Sequence, residues 1–139
     1  MAVAGSLVTA ALALNVRAYF VDFSGKCQYG GDRPTRFASY LGSYLSTLDP
    51  ETPVYLLSDD ELRYGTHGSV DFLSGNHPVT NWTAPVDELP LLVNTVVLAG
   101  PTRIDELRDW ANVQTSGHLV QQSDCTQPML LAYQPTPAP

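Results

Sequence analysis

Lysine occurs once in the 139 residues, at Lys26, and only six arginines accompany it. Fourteen Asp and Glu leave a net charge of −7. So few cations cannot neutralise a run of phosphates, which excludes nucleic-acid binding. The same shortage excludes charge-driven docking on anionic lipid. Charge of both signs is scarce, at 15% of residues against the usual ~25%. There are two cysteines, Cys27 and Cys125, and no Cys-x-x-Cys spacing, so zinc and thioredoxin-type readings fail. Nucleophile elbows, Walker loops and dinucleotide fingerprints are missing, and no Ser, His and Asp spacing selects a triad. The residues therefore nominate no catalytic group, no metal site and no cofactor.

What is present begins with an uncharged run over residues 1–14, followed by Asn15, Arg17 and the aromatics Tyr19 and Phe20. As a helix at ~1.5 Å per residue this run reaches about 21 Å, short of the ~30 Å hydrocarbon core of a bilayer. Its far end nevertheless has the marks of a membrane exit, where charge ends the run and aromatic rings sit at headgroup depth. Residues 1–20 are thus expected to be the end of a transmembrane helix. The competing reading is a buried helix of a soluble domain. A signal peptide fits less well, because the run lacks a basic start and residues 15–20 make a poor cleavage site.

The remainder has material for one core, with 44% hydrophobic residues, and for many loops, with 11 Pro and 10 Gly. Residues 24–35 read as a loop in which Pro34 suits the first turn of a helix. Phe37, Leu41, Tyr44, Leu45 and Leu48 recur on one helical face, so a helix is expected over residues 36–48, ended by Asp49-Pro50. The apolar run at residues 54–58 suits a strand buried on both faces. Residues 69–74 form a second strand candidate, and residues 75–90, with three prolines, read as irregular. Residues 91–99 are the most hydrophobic internal run and are expected to be a central strand. A second helix is expected over residues 102–111, with Thr102 and Asp105 approximating a capping box. Residues 118–122 and 129–134 read as closing strands around a hairpin loop at residues 123–128, and residues 135–139 as a disordered tail.

The expected architecture is α/β: a small mixed, partly parallel sheet of about five strands flanked by two amphipathic helices, with the partial transmembrane helix before it. The boundaries are residues 1–20 for the membrane exit, 21–134 for the domain and 135–139 for the tail.

Candidate binding residues follow the strand at 54–58. In open α/β sheets ligands gather at strand ends, and Asp59, Asp60 and Glu61 there suit a cation or sugar hydroxyls; a solvated acidic loop is the plainer reading. His67, Asp71 and His77 match no metal-ligand spacing. Trp82, between Pro78 and Pro85, is either an exposed stacking surface for a sugar or a lid on the core. Asn81-Trp82-Thr83 matches the N-glycosylation acceptor pattern. Cys27 and Cys125 either pair outside the cytoplasm or are unrelated thiols, since spacing alone cannot bring two sulfurs together.

Taken together, these pieces resemble the C-terminal extracytoplasmic domain of integral-membrane glycosyltransferases that use polyprenyl-phosphate sugars, the protein-mannosyltransferase and aminoarabinose-transferase-like families. The matching pieces are the exit Asn15, Arg17, Tyr19 and Phe20, the helix at 36–48, the Val-Tyr-Leu-Leu strand at 54–57, the Tyr-Gly…His-Gly-Ser…Phe-Leu segment at 64–73, and Leu89-Pro90 before the strand at 93–99. In those families the catalytic carboxylate lies in an early extracytoplasmic loop of the membrane part. No residue of this chain corresponds to it. The resemblance implies a non-catalytic accessory domain, membrane-attached through residues 1–20 and lying on the extracytoplasmic side. Its partners would be the multi-span remainder of the enzyme and a sugar or lipid-linked sugar. The alternative is a self-standing soluble α/β domain that binds or senses a small ligand.

Overall fold

The computed structural model describes residues 2–18, 31–59, 61–90, 94–125 and 127–136. The chain divides into two compact units, Met1–Gly31 and Asp32–Pro139. In the first, helix α1 (Ala2–Arg17) is built from Ala and Leu, both strong helix formers, with Arg17 complementing the helix dipole in its last turn. The Asn15 amide donates to the Ala11 carbonyl at 2.8 Å. Leu12 and Leu14 are 65% and 67% exposed. No helix among the described residues is long and apolar enough to cross a membrane.

The second unit is a layered α/β fold around a five-stranded mixed sheet. Its strands are β1 (Val54–Leu57), β2 (Val79–Trp82), β3 (Val96–Ala99), β4 (His118–Asp124) and β5 (Gln127–Gln134). They lie in the order β2-β1-β3-β5-β4. β1 runs parallel to both β2 and β3, while β5 is antiparallel to β3 and to β4. Helices α2 (Arg33–Leu45), α3 (Gly68–Ser74) and α4 (Ile104–Ala111) complete the unit.

The period-2 alternation of side chains sorts the core into two faces. Val54, Leu56, Val96, Leu98, Leu130 and Ala132 join Phe37, Leu41 and Leu45 of α2 and Val70 of α3. Leu57, Val97, Ala99, Leu131 and Tyr133 join Ile104, Leu107 and Trp110 of α4 and Val86 of a short 3₁₀ turn at Val86–Glu88. β1, β3 and β5 are thus covered on both sides, which explains their lack of polar alternation. Each fully buried Leu contributes about 1.5–3 kcal/mol of transfer free energy.

Several expectations are corrected. α2 begins three residues earlier than expected, because Asp32 caps it by accepting from the Thr35 amide at 3.0 Å and Pro34 lies in its first turn. Residues 69–74 are helical, not extended. His67 caps α3 through its side chain, and Gly75 at φ 63° ends it in the left-handed conformation. Helical spacing buries Val70 and Ser74 together and leaves Phe72 86% exposed, whereas a strand would have put all three on one face. Residues 75–90 contain β2 and the 3₁₀ turn rather than irregular chain. Thr102 does not cap α4; the N-cap position is Arg103, and its side chain makes no capping bond. Among the described residues there are four α-helices, one more than expected, and α3 is the addition. The central strand is shorter than expected, beginning at Val96 after Asn94 at φ 63°; residues 91–93 lie outside the described residues. The closing hairpin is tighter, β4 ending at Asp124 and β5 starting at Gln127.

Candidate functional site

The order β2-β1-β3 puts the topological switch point between the C-terminal ends of β1 and β3, where α/β sheets usually bind ligands. Here that crevice is filled by the protein itself. Gly100, just after β3, lies so close to the Phe37 ring and to Leu62 that an added Cβ would sit 3.1 Å from Phe37 Cε2 and 3.3 Å from Leu62 Cδ1. Asp59, just after β1, accepts from the backbone amides of Glu61 at 2.9 Å and Leu62 at 2.7 Å. Burial pushes its pKa up, but hydrogen bonds from Thr102, Leu62 and Glu61 and the charge of Arg33 outweigh this and hold it below the usual carboxylate range.

Arg103 closes the same end with a fork. Its guanidinium donates to the carbonyls of Trp82 at 2.8 Å and Ala84 at 2.7 Å, and to both oxygens of Glu106. Glu106 also accepts from the Val86 amide at 2.9 Å. The Arg103 hydrogen bonds hold the Glu106 pKa below its usual value, against burial. One ion pair therefore ties α4 to the ends of β1 and β2 and to the 3₁₀ turn.

Of the residues nominated from sequence, Asp59, His67 and Trp82 have structural tasks here, and His77 lies at the opposite end of the sheet. Asp59 caps its own loop. Asp60 lies outside the described residues, and Glu61 is exposed. His67 accepts the Ser69 amide on Nδ1, and its Nε2 is 3.3 Å from Thr35 Oγ1, which joins the starts of α3 and α2. The Trp82 indole donates to the Pro85 carbonyl at 3.0 Å and meets Tyr55 edge-on at 6.0 Å. Its ring is partly buried and packs against the core cluster on the α4 face. Among the described residues no three His, Cys, Asp or Glu form a group that could hold a metal ion. Cys125 is disulfide-bonded; Cys27, the only other cysteine of the chain, lies outside the described residues.

At the opposite, N-terminal ends of β1 and β2 the fold is open. A cleft of about 720 Å³ lies between the segment leading from α2 into β1 and the segment leading from α3 into β2. His77 pins the two together. It is buried, its Nε2 meets the Thr52 carbonyl at 3.0 Å, and its own carbonyl accepts from the Tyr64 hydroxyl at 2.8 Å. With Nε2–H given to Thr52, a neutral ring presents Nδ1 as an acceptor. Ser74, 6% exposed, also lines the cleft, and its hydroxyl has no hydrogen-bond partner.

None of the lining residues except His77 was a candidate in the sequence. They carry no motif, and they meet only because two helix-to-strand connections end side by side. Their one signal in the sequence is the run of turn-forming residues at Asp49-Pro50 and at Gly75 to Pro78. No protein-family model, curated protein or solved structure matches this chain.

Proposed function

We propose that this chain is a non-catalytic extracytoplasmic C-terminal domain of a membrane glycosyltransferase that uses polyprenyl-phosphate sugars, and that it assists the binding of acceptor or sugar. The carrying observation is α1. It is apolar all round, and its described leucines face outward, at 65% and 67% exposure. A helix of that kind is stable when covered by protein or by lipid. Arg17 at its end agrees with an exit into the headgroup layer, with residues 1–20 as the end of a transmembrane helix. A disulfide-bonded Cys125 agrees with an oxidising compartment. The carboxylates beside the sheet, Asp59 and Glu106, are both engaged in hydrogen bonds within the fold, which favours an accessory over a catalytic role.

A membrane-impermeant protease applied to cells making the membrane-bound protein tests the location. Cleavage within residues 32–139 from outside the cytoplasmic membrane is expected; full protection until the cells are lysed overturns it. The purified 139-residue chain is also expected to transfer no sugar from a polyprenyl-phosphate donor, and sustained turnover would remove the accessory reading.

The cleft favours a second reading, a self-standing α/β domain that binds a small ligand. A reading frame of many apolar spans continuous with residue 1 supports the first reading, and a ribosome site directly before it supports the second.

A further inference from the structure

We infer that the cleft at the N-terminal ends of β1 and β2 is a binding site for a neutral carbohydrate. Its volume, about 720 Å³, lies within the range of small-molecule sites. Its lining contains no Lys or Arg, and its one acidic side chain is Glu51. A phosphate or carboxylate entering the cleft would lose its water without gaining a cation, so an anionic ligand is disfavoured.

The groups that are present match a polyol. Pro50, Pro53 and Pro78 supply apolar surface for the C–H faces of a sugar ring, and Tyr55 lines the same cleft. Thr52, Asn76 and Thr80 supply hydroxyl and amide groups that both donate and accept. The unpartnered Ser74 hydroxyl and the His77 ring stand behind them. A buried hydroxyl left without a partner costs free energy, and a ligand hydroxyl reached by a small adjustment of the wall would restore the bond. Pinning of both connecting segments by His77 means that the walls are largely formed before a ligand arrives, which lowers the ordering cost of binding.

Neutral sugar has two sources in a transferase of this kind, the acceptor glycan and the sugar of the lipid-linked donor. The donor carries phosphate beside its sugar, and a lining without Lys or Arg favours the acceptor. That assignment of source rests on the function proposed above; the preference for uncharged sugar rests on the cleft alone.

The test is a titration of the purified full chain, followed by amide chemical shifts, with methyl hexosides and neutral disaccharides. Mannose 1-phosphate and glucuronate serve as anionic probes. Saturable shifts confined to residues 45–55 and 73–80 are expected for the neutral sugars, with the anions at least about tenfold weaker. Thr80 is exposed on the edge strand, so Thr80→Arg is expected to fold. The substitution should weaken neutral-sugar binding at least about tenfold and leave the melting temperature within a few degrees. A second variant, Thr52→Arg, should weaken binding by filling the cleft from its other wall, and it is the fallback if Thr80→Arg misfolds. Three results overturn the inference: no cleft shifts at tens of millimolar sugar, unchanged binding in a folded variant, or mannose 1-phosphate binding as tightly as neutral sugar. Sugar binding by a domain that the protease shows to be cytoplasmic keeps the site and removes the transferase reading. Extracytoplasmic placement without sugar binding does the reverse.

Discussion

At the scale of single residues, the groups that stand out in the sequence hold the fold together. Asn81 opens an acceptor pattern for N-glycosylation, yet its amide is a clasp. Oδ1 accepts from the Tyr64 backbone N–H at 2.8 Å, and Nδ2 donates to the Tyr64 carbonyl at 3.0 Å. Glycosylation needs that same nitrogen, and here it is half-buried on β2. The chain secreted from a glycosylating host is therefore expected to keep its unmodified mass at this site. Asn81→Ala leaves two backbone groups of Tyr64 without partners and is expected to cost about 1–3 kcal/mol. Urea unfolding measures this, and an unchanged midpoint would show that water replaces the clasp without loss. A tripeptide pattern is visible in sequence, but a partner 17 residues away is not. The same applies to His67, Asp59 and Trp82, whose roles are set by Thr35, Thr102 and Pro85 acting through the fold.

Elements buried on both faces or on one clear stripe were legible in the sequence. The β1 run follows from an unbroken apolar stretch between turn residues, and the α2 stripe from Phe37 to Leu45 from a period of 3.6 that packing then fulfils. α3 was not legible, because its two buried positions, Val70 and Ser74, are four residues apart and share a face in a helix and in a strand alike. β2 was hidden because an edge strand with the burial pattern of VTNW presents no continuous apolar run. α4 shows how a short helix is fixed by charge as well as by its apolar face. Its Glu106 has a pKa held down chiefly by the Arg103 hydrogen bonds. A carboxylate whose folded pKa is depressed stabilises the fold above its unfolded pKa, and the contribution disappears as pH falls through the folded value. Asp59 shifts in the same direction. Denaturant stability is thus expected to be flat from neutral pH down to the ordinary carboxylate range and to decline below it. Glu106→Gln removes the charge that receives the Arg103 fork and is expected to cost about 1–3 kcal/mol at pH 7, with a shallower decline in acid. Parallel pH profiles for the two proteins would show that Glu106 is not a source of the acid sensitivity.

At the scale of the whole molecule, the alternation of helices and apolar runs pointed to an α/β fold with a partly parallel sheet, and the antiparallel closing pair followed from its short loop. The strand order did not follow, since β2 at the outer edge depends on a strand that the sequence did not disclose. Among the described residues, both core clusters are built from residues between Phe37 and Tyr133. Deletion of residues 1–14 is therefore expected to leave a folded domain with a single cooperative thermal transition, because the buried area that stabilises the sheet remains. That truncation keeps both Cys27 and Cys125. If the two pair in protein made in an oxidising compartment, the bond closes a loop of roughly 100 residues and restrains the denatured chain by on the order of 4 kcal/mol. Reduction of the truncated chain should then lower its melting temperature while the transition stays cooperative. A non-reduced digest analysed by mass spectrometry should yield one peptide pair joined through these two residues. Free thiols at both positions would remove the bond and weaken the case for an extracytoplasmic location. A broad, non-cooperative melt of the truncated chain would mean that the apolar run belongs to the core, and would remove the main support for placing α1 in a membrane.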